Sequence, residues 1–345
     1  TFAALSVFMG GRYFEDYYSI DQAEDWLEEA EEVFSGPIER CVKHREDANL
    51  YQWIVPRHKL VWDLRNGVYS YRDNGVLEGL SHHIIATTDN IGWPSDFGDA
   101  GSPISGGGGA ASLLEVAAAH LDEPELQWWA EKIHDAVPEA TRRSLPGGAD
   151  LPGMARVAPK RPDDSPVLDV VPLETHVREM AAPEMPLPYV YDKAALRDGF
   201  DPEDAYLLLD GYSVGSHIHY DQNAIIRHTA ANRLWIVDNG YGKPSGESAA
   251  QKAYSSREVG PQDHNTLLVV CEDGELAQPP PFGALLTAET DGPLTLLQSA
   301  LVSYGGVDWL RTIAWITGIG ALIIDQVTAT DTVREVRCQL NMLGQ

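Results

Sequence analysis

The chain is poor in cysteine, in basic residues and in long apolar runs, and each shortage excludes a class of protein. Its three cysteines, Cys41, Cys271 and Cys338, are odd in number and far apart. They make no disulfide framework and no paired zinc-ribbon spacing, and read as buried thiols. Lys and Arg total 25 against 52 Asp and Glu in 345 residues, a formal charge of −27. Such a field disfavours binding to nucleic acid or to an anionic lipid surface. The longest apolar stretch, Thr312 to Ile324, is about 13 residues long and is broken by Gly318 and Gly320, short of the roughly 20 that a membrane-spanning helix needs. Gly106–Gly109 is not followed by the Lys-Ser/Thr of a phosphate loop and reads as a turn before a helix. There is no internal repeat. The chain opens at Thr1 without a Met, a charged leader or an apolar leader run, as if cut from something longer.

What is present divides the chain once. Residues 1–140 read as helical. Ala23, Trp26, Leu27, Ala30, Val33 and Phe34 follow the spacing of one helix face, with Asp21 and Glu24 at the N-cap and N3 positions. Further helices are expected over Asn49–Arg65, Gly75–Thr87, Ala110–His120 and Glu123–Val137. Residues 141–190 form a Pro-rich connection: ten of the 22 prolines fall between 138 and 188. From residue 191 to 345 the texture is that of short strands punctuated by Gly, Asn and Asp: Ala205–Leu209, Ala224–His228, Arg233–Val237, Thr266–Val270, Leu294–Ser303 and Ile313–Ile324. One change from α to β argues for an α+β protein, with a helical bundle or toroid followed by antiparallel strands.

The stretch that carries chemistry is Gly211-Tyr-Ser-Val-Gly-Ser-His217-Ile-His219-Tyr-Asp221-Gln-Asn223. On a strand, residues 217, 219 and 221 would share a face, bringing two imidazoles and a carboxylate together. Asp238, closing Leu234-Trp-Ile-Val-Asp238, and His264, opening His264-Asn-Thr-Leu-Leu, stand at the ends of neighbouring strands. Imidazole and carboxylate from three strands suit a zinc-like ion. The Gly211-x5-His217-x-His219 spacing also fits the start of a cupin metal motif, but Asn223 and Ala224 stand where its Glu belongs. The loop Thr88 to Asp99 offers aromatic and amide groups suited to a sugar. Bases outnumber acids seven to four over residues 37–72, whereas residues 1–36 hold nine acids and one base.

The runs Asp204-Ala-Tyr-Leu-Leu-Leu-Asp-Gly, Gly215-Ser-His217-Ile-His219-Tyr-Asp221-Gln-Asn223, Leu234-Trp-Ile-Val-Asp238-Asn-Gly-Tyr241 and Asp263-His264-Asn265-Thr266 resemble the heparinase II/III-like family of polysaccharide lyases. The resemblance covers residues 204–268 most strongly. It implies an incomplete (α/α) toroid followed by an antiparallel β-sandwich, and a lyase that cleaves an alginate-type or glycosaminoglycan-type uronate polymer by β-elimination. It further implies a structural Zn2+ on His219, Asp238 and His264, and His217 facing the substrate. Tyr51, five residues after Glu46, matches the family's toroid tyrosine. Tyr254, with Tyr241 as the alternative, matches the tyrosine between the metal Asp and the metal His. The family's Asn-His pair is not found upstream of Tyr51. Either it lay before Thr1, or Asn90 or His82 does its work, and Trp93 joins them as a substrate contact. The resemblance favours a periplasmic or secreted protein; the oligomeric state stays open.

In such a reaction the proton α to the C5 carboxylate is removed and the C4-linked sugar expelled, so donors must neutralise the carboxylate while enolate-like charge develops. His217 and an amide such as Asn90 are expected in that role, with Tyr51 as base, acid or both. A phenol ionises near pH 10 and needs a nearby cation or donor to act as a base; an imidazole needs no such help. A cupin-like metalloenzyme and a non-catalytic glycan-binding module are the alternatives.

Overall fold

The computed structural model describes residues 1–40, 42, 46–49, 51–98, 107–137, 157–163, 167–173, 189–213, 217, 219–238, 260–330 and 332–342. Helices come first: α1 (Phe2–Tyr18), α2 (Gln22–Phe34), α3 (Ile54–Asn66), α4 (Ser70–Asp73), α5 (Val76–Thr87), α6 (Gly107–Leu121) and α7 (Pro124–Ala136). Strands follow: β1 (Leu168–Pro172), β2 (Tyr191–Arg197), β3 (Tyr206–Asp210), β4 (Ile225–Ala230), β5 (Arg233–Val237), β6 (Leu267–Cys271), β7 (Ala284–Asp291), β8 (Leu294–Tyr304), β9 (Val307–Ile316), β10 (Gly320–Ala329) and β11 (Val333–Cys338). The fold is α+β, and the described strands pair antiparallel in the orders β1-β2-β3-β4-β5, β10-β9-β8-β7 and β11-β6.

The helices share one apolar core. Phe8, Phe34, Trp53, Leu60, Leu80, Leu114, Trp129 and Ile133 all belong to it. α1 and α2 cross closely at Gly11, where a β-carbon would stand 2.9 Å from Leu27 Cδ2. α2 buries Ala23, Ala30 and Phe34 of its predicted stripe but turns Trp26 and Val33 outward. Its first turn has no side-chain cap: Asp21 itself lies in the helical region at φ −56° and ψ −36°.

The five-stranded sheet is covered on both faces, so every residue of β2 and β3 is buried. Toward the four-stranded sheet it presents Tyr191, Ala194, Leu196, Leu207, Leu209 and Ile225, which pack on Leu297, Ile313 and Trp315. Toward the helices it presents Ala195, Tyr206, Leu208 and Ile226 around Phe97, and with them three buried cations. Arg197 donates to the carbonyls of Ile85 and Ala86 near the end of α5 at 3.0 and 3.3 Å and to that of Thr88 just beyond it at 3.3 Å. They lie at the helix C-terminus, where carbonyls run short of backbone donors, although Ile85 O also accepts from the Thr88 N–H at 3.2 Å. Arg227 pairs with Asp89 and Asp96 at 2.8 and 3.3 Å. Lys193 is the third.

Several expectations are corrected. Residues 313–324 are not one run: a turn at 317–319, with Gly318 at φ +74°, divides β9 from β10. His217, His219 and Asp221 do not lie on a strand. Their loop contains Tyr220 and Asn223 at φ 64° and 62°, left-handed conformations that break an extended period. Cys338 is exposed and Cys271 half-buried. Cys41 lies outside the described residues, as does most of 141–190, although β1 within it joins the sheet.

Candidate active site

Two segments meet at the site, one from each half of the chain. The first, described at residues 46–49 and 51–53, enters α3 through a 3-10 turn, Tyr51–Trp53. Asn49 staples it. Its backbone N–H donates to Phe97 O at 3.1 Å and its side-chain amide to Ser95 O, while its Oδ1 accepts from Trp53 Nε1 at 2.9 Å. Gly98, at φ +58°, lies so close that a β-carbon there would strike the carbonyl of Asp47 and come within 2.8 Å of the carbonyl of His217. Only glycine fits where the three segments converge.

The second segment joins β3 to β4. Asp210 anchors its base: its Oδ1 accepts from Tyr212 N–H at 2.8 Å and its backbone O from Asn223 N–H at 2.9 Å. The Ala224 N–H donates to Asp221 O at 2.9 Å, and Gln222 Nε2 to Ser213 O at 3.0 Å.

Across this junction the Tyr51 and His217 rings lie face to face, centroids 3.8 Å apart and planes 2° from parallel. His217 Nδ1 stands 2.8 Å from Glu46 Oε2, so a carboxylate orients the ring from one side and a phenol covers its face. The His217 side chain keeps 31% of its surface exposed. This is the accessible part of the site.

Behind it lies a buried cluster. Asp221, Asp238 and His264 each bring a ligand atom within 4.8 Å of the others, and the His219 ring centroid is 5.7 Å from that of His264. His264 Nδ1 is 2.8 Å from Asp238 Oδ1. The next residue, Asn265, donates its amide to Ile225 O and Val237 O at 2.8 and 2.9 Å, which holds His264 between β4 and β5. Burial alone would lower the His264 imidazole, but the Asp238 carboxylate overrides it and the pKa is pushed up to about 9. Burial raises Asp238. Asp221 is buried too, yet the cations of His264 and Lys193 hold its carboxyl below the usual range.

The other predicted site residues lie elsewhere. Asn90 is fully buried: its amide donates to Asp204 O and Ala205 O, both at 3.2 Å, and its Oδ1 accepts from Arg197 at 3.3 Å. No face of it is left for a sugar. Trp93 donates its indole N–H to Ala136 O at 3.1 Å, capping α7. Asp89 Oδ1 accepts the N–H groups of Ile91, Gly92 and Trp93, so this part of the loop closes on itself. His82 pairs with Asp169 on β1 at 2.5 Å, a hydrogen bond that raises its pKa. It lines a separate cavity of about 490 Å³ with Glu78, Glu123, Glu125, Trp129 and Phe200, an acidic rim that repels uronates. Tyr254 and Tyr241 fall outside the described residues. Of the bases over 37–72, Lys59 is buried against Asp63 and Ser70, so its charge does not reach the site.

Residue types and motif spacing give Lys193 no place in the site, and Asp210 enters only as part of the run Asp204-Ala-Tyr-Leu-Leu-Leu-Asp-Gly, without a role. The signal available is Tyr191-Asp-Lys-Ala-Ala-Leu-Arg197, a short apolar run that carries three charged residues.

No protein-family model matches the chain. No curated protein matches it in sequence. Solved structures do match in fold. A heparan sulfate lyase from Pedobacter heparinus superposes with a TM-score of 0.58 at 15% identity, over 94% of this chain and 45% of that one. A heparinase III gene product gives 0.61 at 12% identity, over 94% and 45%. A further heparinase III structure gives 0.59 at 12%, over 94% and 46%. The fold is therefore heparinase III-like, and the chain spans less than half the length of the structures it matches.

Proposed function

We propose that this chain carries the β-elimination centre of a polysaccharide lyase acting on a glycosaminoglycan-type uronate polymer. In this reading its helices belong to an incomplete α/α toroid and its two larger sheets to a β-sandwich. The observation that carries the reading is the stack of Tyr51 on His217, oriented by Glu46 and partly open to solvent, within a heparinase III-like fold.

The chemistry follows from which atoms remain available. His217 Nδ1 is engaged with Glu46, so Nε2 is the atom it can present to the uronate carboxylate. Because Nδ1–H already donates to the Glu46 carboxylate, donation at Nε2 calls for the imidazolium, with both ring nitrogens protonated, and its charge offsets the one that develops as the C5 proton leaves. Asn90, committed to the interior, takes no part. Tyr51, in contact with the same imidazole, removes the C5 proton. The C5–H electrons form the C4–C5 double bond, the C4–O bond breaks, and the leaving oxygen takes up a proton that Tyr51 can return.

The buried cluster fits a zinc-type ion. Its donors are imidazole and carboxylate, their ligand atoms converge, and His264 Nε2 and Asp221 Oδ1 are buried without a hydrogen-bond partner. By their positions Asp221, Asp238 and His264 would hold the ion, with His219, a ligand by the resemblance, beside them. Bound there it would tie the β3–β4 loop to β5 and β6, a structural contribution that folding and metal affinity share. Elemental analysis of the purified protein is expected to show one equivalent of zinc, lost in His264→Ala with a lower melting temperature. A metal-free parent as stable as the loaded one would contradict the site.

The direct test is incubation of the protein with heparan sulfate, other glycosaminoglycans and alginate, following the ultraviolet absorbance of unsaturated uronate ends. A rise on a glycosaminoglycan is expected. Silence on every uronate polymer would overturn the lyase reading and leave glycan binding without cleavage.

A further inference from the structure

Lys193 lies wholly inside the protein, on β2, pointing at the helical layer. Its ammonium is 2.8 Å from Asp47 Oδ1, 3.0 Å from Asp192 Oδ1 and 3.1 Å from Asp210 Oδ1, and 4.4 Å above the Phe97 ring. These contacts come from four different places: the segment before Tyr51, β2 itself, the end of β3, and the loop after α5. Asp210 is also the anchor of the loop that carries His217.

We infer that Lys193 is a positioning residue for the Tyr51–His217 pair, acting through Asp47 on one side and Asp210 on the other. This rests on the lyase reading for its catalytic consequence, but not for its structural one. One peptide bond separates Asp47, held by Lys193, from Glu46, held on His217 at 2.8 Å. The segment between them and Tyr51 is pressed from the other side by Gly98, whose N–H donates to Asp221 at 3.2 Å. Asp221, Asp47 and Asp210 in turn bring ligand atoms within 4.8 Å of one another. A single fixed cation thus sits among the carboxylates of both segments that build the site.

The chemistry of burial favours a positioning role over a purely stabilising one. A buried ion pair is rarely more stable than a well-packed apolar replacement, because both charges lose their hydration. What a buried cation adds is geometric selectivity: the carboxylates are satisfied only when the two halves of the chain meet in this register. Burial raises Asp210 well above the usual carboxylate range, with Lys193 opposing and the neighbouring Asp47 and Asp221 adding to the rise.

The test compares Lys193→Met and Asp47→Asn with the parent, each as the full chain, by amide hydrogen exchange and by steady-state kinetics on heparan sulfate. Asp47→Asn removes one anion from a site that has an excess of them, so it decides the matter alone if Lys193→Met does not fold. Exchange across residues 46–53 is expected to speed up at least tenfold while β2 and β3 stay protected. In the same variants kcat should fall at least tenfold with KM within about twofold. Unchanged exchange over 46–53 in a folded variant would overturn the inference, as would equal loosening of β2 and β3, which marks a general stabiliser. If the parent cleaves no uronate polymer, the lyase reading fails while the exchange result still decides the positioning role.

Discussion

The face of the five-stranded sheet that meets the four-stranded sheet is apolar, with Leu207, Leu209 and Ile225 packed on Leu297, Ile313 and Trp315. The face that meets the helices carries Lys193, Arg197 and Arg227, buried against Asp47, Asp89, Asp96 and the carbonyls of Ile85, Ala86 and Thr88 at and just beyond the end of α5. The two interfaces bury the same strands and do different work. Apolar packing tolerates substitution that keeps volume, so the first face contributes stability without specifying much. Buried charges are satisfied in few geometries. The second face ties the helical layer to the sheet through these ion pairs and hydrogen bonds, and the candidate site lies where Glu46 and Tyr51 meet His217 of the β3–β4 loop.

The contrast can be broken at either face. The largest effect is expected at the site itself. Tyr51→Phe should lower turnover on a uronate polymer by about 10²–10⁴-fold, the usual contribution of a positioned acid or base, with the melting temperature unchanged. A variant that keeps parental turnover removes Tyr51 from the chemistry. On the apolar face the opposite pattern is expected. Leu297→Ala empties a fully buried position and should cost about 2–5 kcal/mol in denaturant unfolding, with turnover per folded molecule preserved. Loss of turnover at full stability would erase the distinction between the faces.

The smallest effect sharpens the charged face. Burial pushes Asp96 up to about 7, with Arg227 opposing and the Asp238 and Asp89 carboxylates adding to the rise. Its folded value lies above the ordinary carboxylate value, so the folded state holds a proton that the unfolded chain has released. That contribution to stability is present at low pH and is lost as the pH rises from about 4 to 7. Between pH 6 and pH 7 the parent should lose about 1 kcal/mol relative to Asp96→Asn. Parallel pH–stability curves for the two proteins would show that Asp96 is ionised throughout.

The parts legible in the sequence were those with one buried side. α2, α5 and α7 have apolar stripes or clear Gly and Pro boundaries, and β5 falls on Arg233–Val237 as expected. β2 was not legible because both of its faces are covered, and its charged residues are as buried as its alanines. β10 misled in the reverse sense. It is an edge strand with Leu322, Ile324 and Val327 exposed, so its apolar run continued across the turn from β9 as though it were a single element.

The site divides in the same way. Asp221, Asp238 and His264 stand out by residue type and placement, and their ligand atoms lie within 4.8 Å of one another; His219, a ligand by the resemblance, lies beside them with its ring centroid 5.7 Å from that of His264. The loop geometry that presents His217 depends on left-handed residues at 220 and 223 and on Gly98, none of which a strand period encodes. Asn90 and Trp93 looked available because they lie in a polar loop, but that loop is a wedge between helices and sheet whose hydrogen bonds close on the protein itself.

The central claim is elimination at a uronate by the Tyr51–His217 pair. Mass spectrometry of the oligosaccharides released from heparan sulfate tests it most directly, because elimination and hydrolysis leave products that differ by one water. The account predicts new non-reducing ends one water lighter than hydrolytic ends, formed by the parent and absent with Tyr51→Phe. Saturated ends, or unsaturated ends formed equally well by Tyr51→Phe, would contradict it.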